Sequence, residues 1–520
     1  MPKKYLIYFG SNAIEEIEAN PYILIDITKG VDFKQIDKMA LDLGINYDNE
    51  KRVISGIKYG LIRSTYNGHA CVLKSNLIEF VIHLLDVGEE NVEDGLISLN
   101  ARDEIVIEKR ENEQYVYLYA FYHTEEEIAF RIERLQKAKN IKKVLHIEKE
   151  LKNVEANSNI KLSDKQKEAV KLVNENNVII ITGGPGTGKT TIIKTIIDIY
   201  EEKGKKVVLC APTGRAAKRM TETTGKEAST LHRLLEIGKI DEDSLYKNTS
   251  NYEGAPIDGD LIVVDEMSMV DMFLMNYMLK CIYQGTKLIL VGDEDQLASV
   301  GPGSVLKDLI HSEQIATIHL DKIFRQAAKS KIILNAHRVN QGEEFLKKGQ
   351  NDEQEELKDD FFFIKEMYQE KMLAEVISLC TGRLQKYGNY DFFQSIQVLS
   401  PTKKGMLGTK ELNKALQEKL NPNINSLPEK ASMGAVFRVG DRVMQIKNNY
   451  DIYWEKEIFG KKEIGRGVFN GEIGTITEIN EREKQIEIRF DDEKIAWYEF
   501  SDLDQIEHSY AITIHKSQRE

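Results

Sequence analysis

The spacing of apolar positions changes along this chain and divides it into segments. Between residues 178 and 292, four short apolar runs, VIIIT, VVLC, LIVV and LILV, are bounded by turn or polar residues and separated by helical patterns. Uninterrupted apolar runs of this length are typical of parallel strands that are buried on both faces. We therefore predict an α/β domain with a parallel sheet over residues 155–325.

The N-terminal part has a different pattern. Residues 1–125 show short helical periods, followed by two alternating runs around the polar turn Glu111 to Glu113. This predicts a helical region that ends in a β-hairpin. The layout fits a winged-helix module, and other small helical domains with a hairpin share it. A charged stretch, residues 126–154, is predicted to be a helical linker to the parallel-sheet domain.

The C-terminal part combines two patterns. Residues 326–432 indicate a second α/β domain with a strand-like FFFI run, whereas alternating runs over 433–505 predict a small inserted β-barrel. The segment SYAITIHK then resumes an α/β pattern, so residues 506–520 are predicted to return to the second domain. Inside the first domain, the polar segment 236–260 is predicted to be an excursion, in the form of a hairpin.

Length and composition restrict the class of protein. A chain of 520 residues is too long for one hydrophobic core, and its 41% hydrophobic and 30% charged content is that of a soluble globular protein. No apolar run approaches the ~18 residues of a membrane span, and the N-terminus does not resemble a signal peptide. The four cysteines form no CxxC pair, which argues against a zinc cluster or disulfides. We therefore expect a cytoplasmic protein with reduced cysteines.

The net charge of −13 would ordinarily argue against a nucleic-acid ligand. A protein that holds one strand in an internal groove, however, needs positive charge and backbone donors only in that groove. The acidic balance therefore leaves a nucleic-acid function open.

The sequence VIIITGGPGTGKTT joins a buried strand, a glycine-rich turn and a helix start, and matches G-x-x-x-x-G-K-[ST]. Such a loop wraps phosphates with backbone N–H groups at a helix N-terminus, where the partial positive charge favours anions. Lys189 would reach the β- and γ-phosphates, and Thr190 would bind Mg²⁺. The predicted nucleotide-binding residues of this loop are Gly183, Gly184, Pro185, Gly186, Thr187, Gly188, Lys189, Thr190 and Thr191.

Two further strand ends carry candidate chemistry. LIVVDEMSM delivers Asp265 and Glu266 at the carboxyl end of a buried strand, where open α/β sheets bind ligands. Asp265 would hold Mg²⁺ and Glu266 would activate the attacking water. LILVGDEDQL places Gly292, Asp293 and Gln296 at the next strand end, where Gln296 could sense the γ-phosphate. Acids at strand ends are common, so the phosphate loop upstream gives these residues their significance.

Arg325 follows in LDKIFRQ, at the start of the second α/β segment. A guanidinium group there could meet the charge that develops on a transferred phosphoryl group. An arginine between two domains is, however, more often part of a salt bridge.

The order and wording of these motifs resemble the RecD/TraA-type superfamily 1 DNA helicases, which translocate 5′ to 3′ on single-stranded DNA. The resemblance covers almost the whole chain. It rests on LSDKQKEAV, GGPGTGKTT, APTGRAAKRM, ASTLHRLL, VVDEMSM, VGDEDQLASVGPG, IFRQ, NAHRVNQG, LSPTKKGMLGT, GDRVMQIKNNYD, VFNGEIGTI and YAITIHKSQ.

The resemblance implies an α/β fold with two RecA-like P-loop motor domains, a helix-hairpin-helix-like and winged-helix-like N-terminal region and an inserted SH3-like barrel. It implies ATP and Mg²⁺ as cofactors, and single-stranded DNA and 5′-tailed duplex as partners of a monomeric motor. Gln166 would recognise adenine, Arg325 would contact phosphate, and the 236–260 excursion would separate strands. The implied DNA contacts are Pro212, Thr213, Gly214, Arg215, Thr230, His232, Thr513, His515 and Lys516.

The chain also departs from the family pattern. Family members follow HKSQ with a glycine and an acidic residue, and later carry a second phosphate-facing arginine in a TRA context, whereas Arg519 and Glu520 follow Gln518 here. The resemblance therefore implies a truncated second motor domain with slow ATP hydrolysis. The start also resembles only the later part of the family's helix-hairpin-helix region.

Two rival functions follow from these residues. An ATP-dependent DNA clamp or pseudo-motor would need the phosphate loop and the DNA contacts but little hydrolysis. A small-substrate P-loop kinase or GTPase is disfavoured, because the sequence lacks an N-K-x-D guanine signature and shows no second substrate pocket.

Overall fold

The structure is a computed structural model that describes residues 13–27, 32–139, 143–158, 161–237, 254–322, 329–347, 357–423, 428–458 and 461–519. The chain divides into two compact units. The first comprises Met1–Gly183, Ile192–Val208 and Leu235–Leu320, and the second comprises Gly184–Thr191, Leu209–Leu234 and Asp321–Glu520. Arg325 and most of the 236–260 excursion lie outside the described residues.

The N-terminal region is helical and ends in a β-hairpin, as the sequence predicts. Asp32 and Asn49 begin two of its helices by accepting hydrogen bonds from the backbone N–H groups of Lys34 and Lys51, at 3.2 and 2.9 Å. Its elements are α1 (Ala13–Ala19), α2 (Ile23–Ile27), α3 (Phe33–Asp42), α4 (Glu50–Thr65), β1 (Cys71–Leu73), α5 (Lys74–Leu85), α6 (Glu89–Ala101), β2 (Ile105–Arg110) and β3 (Glu113–Leu118).

The hairpin strands β2 and β3 pair antiparallel, with Ile105 opposite Leu118, and β1 adds to the other edge of β3. The apolar faces of α4, α5 and α6 pack beneath this sheet, so that Ile57, Val81 and Leu96 are completely buried. The helical stretch that follows consists of α7 (Tyr119–Gln136) and α8 (Ile147–Ser158).

A six-stranded sheet forms the centre of the first α/β domain, with strand order β6-β5-β7-β8-β4-β9. The four predicted apolar runs become β4, β5, β7 and β8, and the pairs of β4 with β8 and of β7 with β8 are parallel. The elements are α9 (Asp164–Glu175), β4 (Val178–Gly183), α10 (Lys189–Glu202), β5 (Val207–Ala211), α11 (Gly214–Thr224), β6 (Ala228–Thr230), α12 (Leu231–Leu234), β7 (Leu261–Val264), α13 (Met272–Lys280), β8 (Lys287–Gly292), α14 (Val305–His311) and β9 (Ala316–Leu320).

The core strands of this sheet are buried on both faces, which explains why their sequences do not alternate. Every residue of β7 and β8 is buried, as are the first five residues of β4. The connections between parallel strands place helices on both faces of the sheet, and these helices cover the strands. Their carboxyl ends consequently open on loops that are free to carry polar groups.

A buried lysine at the start of β8 binds the C-terminal end of α9. The Lys287 side chain is 1% exposed, and its Nζ donates to the carbonyl oxygens of Val173, Asn174 and Asn176 at 2.7, 3.2 and 2.5 Å. These carbonyls lie at the C-terminal end of α9, where a helix has no further N–H partners. A lysine at the first position of a strand is therefore a helix cap in this fold.

We expect Lys287→Met to lower the free energy of unfolding by about 2 kcal/mol or more, because three buried carbonyl groups would lose their donor. Thermal or urea denaturation followed by circular dichroism measures this loss. Lys171→Met is the control, because Lys171 lies on the outer face of α9 in an exposed ion pair with Glu148. Equal stability of the two variants would contradict the capping role.

The second α/β segment contains α15 (Lys331–Asn340), α16 (Gln369–Ser378), α17 (Leu384–Gly388), α18 (Phe392–Ser395), β10 (Val398–Ser400) and α19 (Thr409–Leu420). The chain returns to it through β20 (Ala511–Thr513) and α20 (Ile514–Arg519). Strands β10 and β20 pair parallel, with Ser400 opposite Thr513. Residues 511–519 thus rejoin the second α/β segment, whereas Ile506–His508 pair antiparallel with Val443–Gln445. The assignment of residues 506–520 to the second motor domain stays a prediction.

The strand predicted for the FFFI run is wrong. Residues 361–364 form no strand, and their aromatic rings pack instead: Phe361 and Phe363 lie 5.5 and 4.9 Å from the Phe345 ring, and Phe362 lies 5.7 Å from the Tyr387 ring. A short apolar run becomes a strand only where a neighbouring strand accepts its backbone hydrogen bonds. In the described part of the chain, no strand pairs with these residues.

The alternating segment forms an antiparallel sheet of seven strands with order β15-β14-β18-β17-β16-β13-β19, beside a two-stranded β11-β12 ribbon. Five residues of its core are at most 1% exposed: Ile476, Ile486, Ile488, Ala496 and Tyr498. The strands are β11 (Glu429–Ser432), β12 (Ala435–Arg438), β13 (Arg442–Gln445), β14 (Asn449–Ile458), β15 (Lys461–Val468), β16 (Ile473–Asn480), β17 (Gln485–Phe490), β18 (Ile495–Glu499) and β19 (Ile506–His508).

A fully buried carboxylate joins this sheet to the second α/β segment. Asp441 accepts hydrogen bonds from the Tyr510 hydroxyl at 2.9 Å and from the side-chain amides of Gln417 and Asn421 at 2.6 and 2.7 Å. Burial alone would raise the pKa of Asp441, but the hydrogen bonds from His508 and its other donors hold the pKa below the usual value. A charge buried this completely is tolerated because each of its lone pairs has a donor.

The described residues contain no helix that is long and apolar enough to cross a membrane. All four cysteines are free thiols, and those of Cys210, Cys281 and Cys380 are buried.

Candidate functional site

The glycine-rich loop links β4 to α10, and the helix begins at Lys189. Gly186 and Gly188 have φ angles of 78° and 82°, in the left-handed region that favours glycine. The Gly184 carbonyl oxygen accepts hydrogen bonds from the Thr187 hydroxyl at 2.8 Å and from Lys189 Nζ at 3.3 Å. The ammonium group is thus held within the loop and in a position to exchange a carbonyl for a phosphate oxygen.

The acid pair follows β7 and begins a short 3-10 turn, Met267–Met269. Asp265 Oδ1 accepts from the Glu266 backbone N–H at 2.9 Å, and Glu266 has a φ angle of 53°. A left-handed conformation is unfavourable for a residue with a Cβ and is held here by that bond and by a Met269 N–H that donates to the Glu266 carbonyl at 3.1 Å. Such strain is concentrated at functional sites.

The predicted residues after β8 lie beside this turn. Gln296 Oε1 accepts from the Ser268 hydroxyl at 3.1 Å, which joins the loops that follow β7 and β8. Asp293 is 4% exposed, and its Oδ1 accepts from the Asp295 backbone N–H at 3.1 Å. The Thr182 hydroxyl oxygen accepts from the Glu294 backbone N–H at 3.4 Å.

Sheet topology brings these strand ends to one edge. Strand β8 lies between β7 and β4, and Thr182 stands opposite Gly292 in the β4–β8 pair. The acid pair, the β8 loop and the start of the phosphate loop therefore follow three adjacent carboxyl ends. Carboxylates at the ends of adjacent parallel strands can take part in binding one divalent cation, with phosphate oxygens supplying further ligands.

In the described part of the chain, no group of three or more His, Cys, Asp or Glu side chains could hold a metal ion by itself. A Mg²⁺ ion does not need such a group, because it retains water and is commonly bound through one or two carboxylates and the substrate phosphates. Asp265, at the end of β7, fits that pattern, and the role of Thr190 as a second protein ligand stays a prediction.

Gln166 has a structural role that the sequence analysis missed. Its backbone N–H donates to Ser163 Oγ at 3.3 Å, and its Oε1 accepts from the Ser163 backbone N–H at 2.9 Å. This capping box begins α9, and it leaves Gln166 only 2% exposed. The spacing Ser-x-x-Gln was the signal in the sequence for this capping box. The recognition of adenine by Gln166 stays a prediction.

Three of the predicted DNA contacts share one local structure. Thr213, Thr230 and Thr513 each stand between a parallel strand and a helix, and each hydroxyl oxygen accepts from a backbone N–H of that helix, at 3.3, 3.2 and 3.3 Å. Helix starts at strand ends present N–H groups and partial positive charge. The other predicted contacts lie in the same segments: Pro212, Gly214, Arg215, His232, His515 and Lys516.

A further basic loop was not assigned from the sequence. Lys403 and Lys404 are exposed in the loop after β10, the strand that pairs with β20 and so ends beside Thr513. The Ser400 hydroxyl fixes this loop by donating to the Leu407 carbonyl at 2.6 Å. The available signal was the pair of lysines directly after a short apolar run.

Lys516 is paired with a carboxylate in this structure. Its Nζ lies 2.8 Å from Glu507 Oε2. Burial works to raise the pKa of Glu507, but the hydrogen bond from Lys516 and the charges of Lys516, Lys403 and Lys410 lower it on balance. Several positive charges therefore lie close together at the ends of β10 and β20.

Three segments of the chain match known protein families. Residues 161–358 match a family described as an AAA domain, residues 412–490 match the ATP-dependent RecD-like DNA helicase SH3 domain, and residues 3–71 match the ATP-dependent RecD2 DNA helicase HHH domain. Together, these three matches support a RecD-like superfamily 1 helicase.

Individual relatives extend this assignment over the chain. The RecD-like chain is 29% identical over 521 residues to an ATP-dependent RecD2 DNA helicase of Deinococcus radiodurans, a match that covers 98% of this chain and 66% of the relative. It is 29% identical to the RecBCD enzyme subunit RecD of Buchnera aphidicola, over 78% of this chain and 73% of the relative. The chain thus spans about two thirds of the length of the first relative.

Among solved structures, the RecD-like chain matches a structure described as two coordinating Pif1 helicases unwinding forked double-stranded DNA. The match has 19% identity and a TM-score of 0.35, and covers 69% of this chain and 84% of the other. A TM-score this low carries no argument about function.

Proposed function

We propose that this chain is the core of an ATP-dependent DNA helicase that translocates 5′ to 3′ on single-stranded DNA and unwinds duplex DNA. The observation that carries the proposal is that β7, β8 and β4 are adjacent parallel strands of one sheet, and that they are followed by the Asp265–Glu266 pair, the Gln296 loop and the phosphate loop. The family membership supports the same function.

In this proposal, the residues of the sheet edge divide the work of Mg²⁺-dependent ATP hydrolysis. Lys189 releases the Gly184 carbonyl and neutralises charge on the transferred phosphoryl group, while the backbone N–H groups around Gly186 and Gly188 hold the phosphates. Thr190 and Asp265 hold the metal ion, which supplies electrostatic stabilisation when bound. Glu266 orients the attacking water and accepts its proton.

The DNA contacts are proposed to be made to phosphates. Threonine hydroxyls, helix-start N–H groups and the cations Arg215 and Lys516 bind a sugar-phosphate backbone without reading bases. A motor that steps along any sequence requires this kind of contact. Gln296, hydrogen-bonded to Ser268 on the neighbouring loop, is proposed to transmit the loss of the γ-phosphate between these loops.

The test of the proposed function measures ATP hydrolysis with and without single-stranded DNA, and unwinding of duplexes with a 5′ tail, a 3′ tail or blunt ends. We expect hydrolysis to be stimulated by single-stranded DNA and unwinding to require the 5′ tail. Unwinding of only the 3′-tailed duplex would refute the direction, and nucleotide hydrolysis indifferent to DNA would refute the motor.

An ATP-dependent DNA clamp with weak hydrolysis is the second candidate. It would use the same phosphate loop and the same proposed DNA contacts, with little ATP hydrolysis. Single-turnover and steady-state hydrolysis distinguish the two. A clamp would bind DNA tightly with ATP and turn over slowly in both measurements.

We expect Arg215→Ala to weaken binding of unrelated single-stranded oligonucleotides to a similar degree and to reduce the slope of log affinity against log salt by about 0.7, the value for one lost phosphate contact. Arg215 is exposed in the first turn of α11, directly after the Thr213 cap. Fluorescence anisotropy over a range of salt concentrations measures the slope.

Lys205→Ala is the matched control for Arg215→Ala, because it removes one positive charge at the amino end of β5 instead of the carboxyl end. We expect its salt slope to equal that of the wild type. A similar loss in both variants would assign the effect to net charge and would count against a contact at Arg215.

A further inference from the structure

A histidine from the second α/β segment packs directly on the phosphate loop. The His337 ring lies so close to Gly184 that a Cβ at that position would be 2.5 Å from His337 Cε1 and 3.2 Å from its Nε2. Real Cβ atoms essentially never show contacts under about 3 Å, so a residue larger than glycine fits here only if the His337 ring moves. Both residues belong to the second compact unit.

The helix that carries His337 is fixed on both sides of it. Asn335 Nδ2 donates to the Leu346 carbonyl at 2.9 Å, and the Leu346 N–H donates to Asn335 Oδ1 at 2.7 Å. Arg338 Nε donates to the Glu344 carbonyl at 2.8 Å. These bonds tie the last turns of α15 to the backbone that follows the helix, on either side of His337 in the sequence.

His337 Nε2 is buried and has no hydrogen-bond partner in the described part of the chain. A buried polar atom without a partner costs free energy, and such atoms in native proteins call for an explanation such as a bound group. A phosphate oxygen is a suitable acceptor for an Nε2–H group.

The place of the contact indicates which phosphate. Lys189 Nζ donates to the carbonyl oxygen of Gly184, the same residue that the His337 ring covers. A phosphate-loop lysine reaches the β- and γ-phosphates when nucleotide is bound. The residue whose carbonyl Lys189 contacts is thus also the residue that the His337 ring covers.

We propose that His337 is a nucleotide-positioning residue that distinguishes a nucleoside triphosphate from a diphosphate. Its ring holds the empty loop at Gly184, and its Nε2–H donates to the terminal phosphate of the triphosphate. Occupancy of the phosphate loop is thereby linked to α15. This inference rests on the proposed function to the extent that the loop must bind ATP.

The test measures equilibrium affinities for Mg²⁺-ADP and for a non-hydrolysable Mg²⁺-ATP analogue by competition with a fluorescent nucleotide. We expect His337→Ala to weaken the analogue about tenfold, as for loss of one hydrogen bond to a charged group, and to leave ADP affinity within about twofold. His337→Gln, which retains an N–H donor, should recover part of the loss. A role in folding alone would affect both nucleotides equally, and that result would overturn the proposal.

A double-mutant cycle tests the contact itself. Gly184→Ala places a methyl group in the volume of the ring, and its backbone needs no left-handed φ angle, so the clash is the main cost. We expect Gly184→Ala to weaken the analogue at least tenfold and Gly184→Ala/His337→Ala to bind it within about threefold of His337→Ala alone. Additive losses would overturn the contact. If the wild type binds neither nucleotide, the proposed function has failed, whereas normal binding with an additive cycle refutes only the inference.

Discussion

Lys189→Ala is expected to lower ATP hydrolysis by about 10² or more, because the phosphate loop loses its mobile positive charge on the transferred phosphoryl group. In the structure, Lys189 Nζ is held 3.3 Å from the Gly184 carbonyl, which indicates that its position within the loop is set before nucleotide binds. The fold should survive, since the side chain makes no core contact in the apolar clusters of the described residues. Release of phosphate from ATP measures the effect.

Lys194→Ala is the matched control for this prediction. Lys194 lies on the same helix, α10, but its side chain is exposed to solvent. We expect its turnover to be that of the wild type and the melting temperatures of both variants to be unchanged. A Lys189→Ala variant with more than about a tenth of the wild-type rate would refute the assignment of this loop as the catalytic phosphate cradle.

The parallel sheet could be predicted because its strands are buried on both faces. Apolar side chains at consecutive positions, such as Val263 and Val264 in β7, are compatible with few other structures when a loop and a helical pattern follow each run. The same reasoning placed Asp265 and Gln296 on neighbouring loops, since parallel strands end at one edge. The positions of these residues follow from strand direction, whereas their catalytic roles stay predictions.

The same pattern was misleading at the FFFI run. Phe361 and Phe363 are as apolar as the strand residues, but a strand also requires a partner for its backbone, and hydrophobicity contains no information about that partner. The two rings instead pack against Phe345. A polar segment separates Phe345 from them in the sequence. Apolar spacing therefore predicts burial more reliably than it predicts hydrogen bonding.

Contacts between distant segments could not be predicted from the sequence. His337 lies in the NAHRVNQG segment, whose polar character suggests only a surface helix, and nothing in its spacing indicates that the ring covers Gly184. The three threonine caps were more accessible, because a strand, a threonine and a helical pattern follow one another in the sequence. The helix caps at Thr213, Thr230 and Thr513 can thus be predicted from the sequence. The groove that these residues would line depends on contacts between distant segments and cannot.

Glu266→Gln is expected to lower ATP turnover by about 10² or more while leaving ATP and Mg²⁺ binding unchanged. The substitution keeps the size of the side chain and the same cost of the left-handed φ angle of 53°, so the bond from the Glu266 N–H to Asp265 should persist. Only the carboxylate that accepts the proton of the attacking water is lost. The variant should therefore accumulate bound ATP, which filter binding of radiolabelled ATP measures beside phosphate release.

The division of roles between the two acids makes this prediction specific. Asp265 and Thr190 are proposed to hold the metal ion, so Asp265→Asn should weaken Mg²⁺-dependent ATP binding as well as turnover, in contrast to Glu266→Gln. Asp295→Asn, an exposed acid on the β8 loop, is the control and should behave as the wild type. If ATP affinity fell together with turnover in Glu266→Gln, Glu266 would be a metal ligand, and the water-activating group would have to be sought elsewhere on this sheet edge.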